Sequence, residues 1–375
     1  MSITKKDIEE VLKGITTNGD GKSLYDGNLI SNIMVFGDQV DIDVLMKNPT
    51  LQAKKKVQDS IIKLFKGKFN PEIKIKVSAK HSNDNSITPD TAAKIKGIDS
   101  IIAISSGKGG VGKSTVTANL AVTLAEMGCK VGILDADIYG PSIPAMFDLE
   151  GERPLSVNYN GESKIKPIEN YGVKVLSIGF FTKPDQAVIW RGPMATKALK
   201  QMIFDSAWGE LDFLLVDLPP GTGDIHLSIV QSIPLNGAVV VSTPQNIALA
   251  DARKGISMFR KENINVPLLG IIENMSFFTP EELPDNKYYI FGRQGAQNLS
   301  EDKNVPFLGE LPLVQSIREA SDVGRPAALQ ENTIVKDHLT KITQKLVEEL
   351  IKRNTTLPAT KVVKITNMVG CSAIK

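Results

Sequence analysis

The chain has 375 residues, 42% hydrophobic, 23% charged and 6% aromatic, and its 44 Lys plus Arg nearly balance 42 Asp plus Glu. That length exceeds one ordinary hydrophobic core and points to two domains, while the apolar content excludes disorder and collagen-like or low-complexity architectures. A formal net charge of +2 leaves no strong field to draw in nucleic acid or an acidic membrane, and two cysteines exclude a disulfide framework, so reduced thiols in a cytoplasmic protein are expected.

The amino terminus, MSITKKDIEEVLKG, is charged throughout and lacks the apolar core of a signal peptide. No apolar run approaches the roughly eighteen residues of a membrane span. The pattern predicts a helix over 5–13, a polar Gly-rich loop, strands over 29–35 and 39–46, a helix over 51–65 and a strand over 72–77. Together these read as a small α+β domain over 1–80. Between Lys54 and Lys80 nine lysines meet only Asp59 and Glu72, a solvated face or a docking face for an acidic partner. The polar stretch 81–98 carries Pro89 and no apolar periodicity, as linkers do.

From 99 to 354 short apolar runs alternate with helical patterns, the rhythm of βαβ units and of an α/β domain with a doubly wound, mainly parallel sheet. Strands are predicted over 100–105, 130–134, 173–178, 213–217, 238–242, 268–273 and 306–311. They are rich in Ile, Val and Leu without polar alternation, as strands covered on both faces are. Helices are predicted after the Gly-rich turn at 107–112 and over 195–207, 225–232, 248–262, 295–300 and 335–353. The last carries Val335, Leu339, Ile342, Leu346 and Leu350 at helical spacing, for packing on the sheet or for lying on a membrane surface. The tail 355–375 has no assignment.

Gly107-Lys-Gly-Gly-Val-Gly-Lys-Ser114 satisfies G-x-x-x-x-G-K-[ST] directly after a predicted strand and directly before a predicted helix, the context this phosphate loop requires. Gly107, Lys108, Gly109, Gly110, Val111, Gly112, Lys113, Ser114 and Thr115 are therefore assigned to the phosphates of ATP with Mg²⁺. The glycines let the backbone aim N–H groups inward, and the following helix adds the positive end of its dipole. Lys113 would bridge β- and γ-phosphate oxygens, and the Ser114 hydroxyl would coordinate Mg²⁺.

Ligands of doubly wound sheets sit at the carboxyl ends of the strands, so carboxylates there are the candidates for metal and water. Asp217 closes the predicted strand 213–217 and can hold Mg²⁺ through water, with Leu-Pro-Pro-Gly-Thr-Gly-Asp224 following as a γ-phosphate-sensing loop. Leu134-Asp-Ala-Asp137 offers two more, of which Asp137 is assigned to the metal environment and to orienting the attacking water.

At these residues the chain resembles the iron-sulfur cluster carrier ATPases of the Mrp/ApbC type, within the wider deviant Walker A group of MinD, ParA and nitrogenase iron-protein relatives. The resemblance rests on SSGKGGVGKST (105–115), LDADIYGPSIP (134–144), Trp190-Arg-Gly-Pro193, LLVDLPPGTGD (214–224), VVSTPQ (240–245), IIENMS (271–276) and the IFG-x-x-G run ending at Gly295. The amino-terminal unit is similar to the small PaaD-like domain often fused ahead of this ATPase. The resemblance implies a homodimer that sandwiches two ATP molecules and delivers clusters to recipient apo-proteins. It implies that Lys108 reaches across to the other subunit's phosphates, acting as an arginine finger does. It implies that Asn274 recognises adenine, with Thr243, Pro244 and Gln245 lining the base pocket.

The chain departs from this family where a C-x-x-C pair supplies thiolates to a [4Fe-4S] cluster between the ENMS and IFG elements. Here that interval is Phe277-Phe-Thr-Pro-Glu-Glu-Leu-Pro-Asp-Asn-Lys-Tyr-Tyr289, without cysteine. Glu281, Glu282 and Asp285 are hard oxygen donors and poor substitutes for soft thiolates. Cys371 could give two thiolates per dimer, completed by outside ligands, whereas Cys129 precedes an apolar strand and reads as packed core. The rival function is a positioning switch of the MinD or ParA kind, acting on membrane or DNA under ATP control.

Overall fold

In the computed structural model the described residues are 5–16, 23–27, 29–36, 39–46, 48–68, 72–79, 95–181, 192–280, 282–283 and 286–357. The first elements are α1 (Lys5–Lys13), β1 (Ile30–Phe36), β2 (Gln39–Met46), α2 (Leu51–Lys68) and β3 (Glu72–Ala79). β2 is the middle strand, antiparallel to β1 and parallel to β3. Ile8, Val11, Leu12 and Ile15 recur at helical spacing and bury with Val57, Ile61 and Phe65 of α2 against Val40, Ile42 and Val44. α2 begins at the far end of another helix, where the Leu51 N–H donates to the Met127 carbonyl at 2.7 Å.

The remaining elements are β4 (Ile98–Ser106), α3 (Lys113–Glu126), β5 (Val131–Asp135), α4 (Ile143–Met146), β6 (Ser156–Tyr159), β7 (Glu162–Ile165), β8 (Ile168–Asn170), β9 (Val173–Ser177), α5 (Gly192–Phe204), β10 (Leu211–Asp217) and α6 (Asp224–Ser232). After them come β11 (Gly237–Ser242), α7 (Asn246–Phe259), β12 (Leu268–Glu273), α8 (Gly295–Lys303), β13 (Phe307–Glu310), α9 (Gln315–Asp322) and α10 (Ile334–Thr356). They form an eight-stranded sheet in the order β13-β12-β11-β4-β10-β5-β9-β8, parallel except for β8. Strand period two puts Ile102 and Ile104 of β4 into a core under α3 and α10, and Ile101 and Ala103 into a second core under α5 to α8. β10 lies between β4 and β5, with Asp217 in register with Ile104 on one side and Asp135 on the other. Three strand ends carrying the phosphate-loop entry and two carboxylates are thereby side by side.

Several boundaries differ from the expected ones for identifiable reasons. β4 starts at Ile98, inside the polar stretch, because Ile98 pairs with Leu211 at the start of β10. α5 ends at Phe204 and not at 207, because the Asp205 carbonyl and the Ala207 N–H both bond the backbone of Ile165. The hairpin β6–β7 was not expected, although Asn160-Gly161 is its signal: both residues have positive φ, 54° and 86°, as a two-residue hairpin turn requires. Tyr171 and Gly172, at 51° and 72°, do the same between β8 and β9. Helix α9 was also unassigned. Residues 358–375, including Cys371, and residues 190–191 of the Trp-Arg-Gly-Pro element lie outside the described residues.

The apolar stripe of α10 packs on the sheet: Val335, Leu339, Ile342, Leu346 and Leu350 are each at most 3% exposed. This corrects the membrane-surface alternative, since the face that would enter lipid is already buried. Thr333 caps the helix by accepting from the Lys336 N–H.

Truncating Leu346 to Ala is expected to destabilise the fold by about 2–5 kcal/mol through the cavity it leaves. The same change at exposed Lys345 should stay within about 0.5 kcal/mol. Paired urea titrations compare the two, and equal midpoints would contradict the burial of this stripe.

Candidate functional site

β4 delivers the chain into the loop 107–112, and α3 starts at its end. Gly112 has φ 80°, and a Cβ there would strike the Asn274 amide, so the loop can turn and close over Asn274 only with glycine at this position. The Asn274 side chain in turn donates to the Val111 carbonyl at 2.9 Å, bracing the loop from beneath. One N–H of the residue expected to recognise adenine is thus committed to the loop, and its carbonyl end is not.

The ammonium of Lys113, the first residue of α3, lies 2.7 Å from Asp217 Oδ2 and 3.7 Å from Asp137 Oδ2. Asp217 is fully buried. Its Oδ2 also accepts the Ser114 hydroxyl at 2.6 Å, and its Oδ1 accepts the Thr117 hydroxyl at 2.7 Å. Three side chains from the first five residues of α3 therefore converge on one strand-end carboxylate. Thr117 was not singled out from the sequence; its spacing of four from Lys113 is the signal, because it repeats the same helix face.

Asp135 and Asp137 have divergent environments. Asp135 is fully buried and accepts the Ser177 hydroxyl at 2.8 Å and the N–H groups of Asp137 and Ile143 at 3.2 and 3.3 Å. It fixes the turn that follows β5. Burial, reinforced by neighbouring Asp217, pushes its carboxyl up to about 7. Ser177 ends β9 in register with Asp135, a partner that only strand pairing reveals. Asp137 faces Lys113, and burial raises its pKa while the Lys113 ammonium opposes the rise. Its Oδ1 is buried without a hydrogen-bond partner.

Two carboxylates, Asp217 and Asp137, thus face one ammonium, with Asp135 buried beside Asp217. This surplus of buried negative charge, an orphaned carboxylate oxygen and a hydroxyl beside Asp217 fit a hard, oxygen-seeking divalent cation such as Mg²⁺. Among the described residues no group of three or more His, Cys, Asp and Glu could hold a metal by itself. The set matches Mg²⁺ bound through one or two carboxylates plus substrate phosphate oxygens.

Lys108 lies on the loop, half-buried, and its carbonyl accepts the Ser106 hydroxyl at 3.0 Å. Thr243, Pro244 and Gln245 follow β11, and a Cβ at Gly295 would strike the Pro244 carbonyl, so the segment 243–245 lies against the IFG-x-x-G run. The intervening segment is closed by backbone bonds between Phe278 and Tyr288, while the Lys287 ammonium stacks on Phe277 at 3.8 Å and pairs with Glu310 at 3.5 Å. Glu282 is exposed, and Glu281 and Asp285 lie outside the described residues. Nothing between Phe277 and Tyr289 fits a cluster, for want of any thiolate. Cys129 is 6% exposed, and burial pushes its thiol up to about 12, so it stays protonated and packed as expected.

Residues 97–350 match the family model described as NUBPL iron-transfer P-loop NTPase, of the ParA group, and residues 5–77 match that of an iron-sulfur cluster assembly protein. The chain is 42% identical to an iron-sulfur cluster carrier protein of Synechocystis, over 88% of this chain and 92% of the relative. It is 52% identical to the Escherichia coli protein of the same description, over 63% of this chain and 62% of that one. Among solved structures, a nucleotide-binding protein of Archaeoglobus fulgidus in complex with ADP is 39% identical, with a TM-score of 0.56 over 64% of this chain and 91% of that one.

The raised Asp135 gives a pH prediction. A carboxyl held above its ordinary value of 3.8 binds a proton more tightly in the folded than in the unfolded chain. Its contribution to stability is present below pH 4 and declines as pH rises toward about 7. Asp135→Asn is expected to flatten that decline, read as urea midpoints against pH; parallel curves for variant and parent would contradict it.

Proposed function

The chain belongs to the NUBPL iron-transfer P-loop NTPase family, and from that premise we propose that it binds ATP with Mg²⁺, hydrolyses it as a homodimer and couples the cycle to iron-sulfur cluster transfer in the cytoplasm. The observation that carries this reading is the convergence of Lys113, Ser114, Asp137 and Asp217 where β4, β5 and β10 end. The loop amides of 107–115 and the amino end of α3 take the phosphates. Lys113 exchanges Asp217 for β- and γ-phosphate oxygens. Ser114, Asp217 and Asp137 form the surroundings of Mg²⁺, which when bound offsets charge on those oxygens. Asp137, with its elevated pKa, orients the attacking water and accepts its proton. Lys108 of each protomer reaches the phosphates bound by the other, which makes hydrolysis depend on the dimer. The Asn274 carbonyl end, with Thr243, Pro244 and Gln245, recognises the adenine amine.

Iron-sulfur clusters enter this reading as cargo. With no cysteine between Phe277 and Tyr289, cargo is held by Cys371 of the two protomers together with thiols of the donor or recipient protein. The division into an amino-terminal domain 1–80, linker 81–98, NTPase domain 99–354 and tail 355–375 belongs to the same proposal. A positioning switch on membrane or DNA has less support. The apolar stripe of α10 is buried, and among the described residues no helix is long and apolar enough to cross a membrane.

Lys113→Ala is expected to abolish nucleotide binding in calorimetry, and parent-like affinity would overturn its assignment. Asp137→Ala should bind ATP and release phosphate slowly. Lys108→Ala should also keep its affinity and lose roughly 10³-fold in turnover. Anaerobically purified chain should contain iron and acid-labile sulfide that Cys371→Ser lacks; colourless, iron-free parent protein would remove the carrier role and leave the ATPase standing.

A further inference from the structure

The loop 218–223 between β10 and α6 carries Pro219 and Pro220, which have no N–H to anchor it. Its remaining backbone donors make two ties: Leu218 N–H to the Ile104 carbonyl at 3.0 Å and Gly221 N–H to the Ser106 carbonyl at 2.9 Å. Both lead to the last three residues of β4, where the phosphate loop begins. Among the described residues a single side-chain hydrogen bond reaches this loop, from His226 in the first turn of α6. His226 Nδ1 lies 3.0 Å from the Pro219 carbonyl. A carbonyl only accepts, so the proton is on Nδ1, and Nε2 is left as a bare lone pair.

That lone pair is buried without a partner, in a side chain only 1% exposed whose ring packs on Phe259 at 5.9 Å between centroids. An imidazolium here would be a buried charge in the field of the Lys113 ammonium. Burial holds the ring neutral by lowering its pKa to about 4; the Pro219 hydrogen bond opposes this and the Lys113 charge adds to it. His226 therefore keeps one tautomer throughout the physiological range, with a donor spent on the loop and an acceptor held in reserve. Buried acceptors without partners are uncommon, and this one calls for a physical account.

We propose that His226 is a positioning residue that latches the loop 218–223 through Pro219, and that its Nε2 accepts a hydrogen bond when the loop resets against a γ-phosphate. This rests on the hydrolysis proposed above. It adds the group that sets the loop, acting through Pro219 and touching no reacting atom.

His226→Phe keeps the ring packing and removes both nitrogens, whereas His226→Asn restores a donor where imidazole Nδ1–H stood. The Phe variant is expected to lose on the order of tenfold in kcat with KM for ATP within about twofold of the parent, and His226→Asn, which restores the donor and not the Nε2 acceptor, to recover part of that loss. In ¹⁵N spectra of histidine-labelled parent, which has three histidines, the His226 ring should show the same neutral tautomer from about pH 5.5 to 8. Its nitrogens should shift with a non-hydrolysable ATP analogue and not with ADP. Parent-like turnover in the Phe variant, an Asn variant no better than Phe, or identical ring shifts with both nucleotides would overturn the latch. If the parent binds ATP and never hydrolyses it, the proposed function fails alone, and the ring shifts still decide the role of His226.

Discussion

The contact between the Lys113 ammonium and the buried Asp217 carboxylate is the constraint around which the rest of the molecule is arranged. A fully buried carboxylate is tolerated only where its lone pairs are met, and Asp217 is met by an ammonium and two hydroxyls from one turn of α3. This fixes where α3 begins, how the loop before it turns, and which strand lies beside β4. Displacing β10 by one register position would send Asp217 to the opposite face of the sheet and leave Lys113 with Asp137 alone.

The same geometry sorts the remaining carboxylates by role. Asp135 and Asp137 are two residues apart, yet one holds a backbone turn and a neighbouring hydroxyl while the other presents an unpartnered oxygen beside Lys113. The pair is divided into a structural group and a chemically available one by hydrogen bonding more than by burial. His226 repeats the division within one ring, Nδ1 spent on Pro219 and Nε2 unspent. The Asp137 atom lies at the rim where β4, β10 and β5 end, and the His226 atom lies behind the loop that follows β10.

Where the resembling family carries a thiolate pair, this chain closes a short segment by main-chain bonds between Phe278 and Tyr288 and pins it with Lys287 against Phe277 and Glu310. A cation stacked on an aromatic ring and paired with a carboxylate is a solution for holding a surface segment in place, without soft ligands for iron. Family membership and local chemistry therefore separate here: the phosphate-loop sequence and the strand-end carboxylates are present, and cargo ligation cannot come from this segment.

The sequence by itself determined the phosphate loop, the strand-end aspartates, the rhythm of parallel strands and the domain with two covered faces, because these are written in local spacing: G-x-x-x-x-G-K-S before a helix, and branched apolar runs without alternation. It also holds the Asn160-Gly161 turn signal of the β6–β7 hairpin. It did not give Thr117 and Ser177 as partners of Asp217 and Asp135, the seat of Asn274 beneath the loop, or the link from His226 to Pro219. The first three are contacts between residues 42 to 163 positions apart or on separate elements, and the last depends on how the loop returns over α6. Which nitrogen is committed and which carboxylate oxygen is left over is decided by the order of strands in the sheet, since hydrogen-bond partners are chosen by position in space and no local pattern records them.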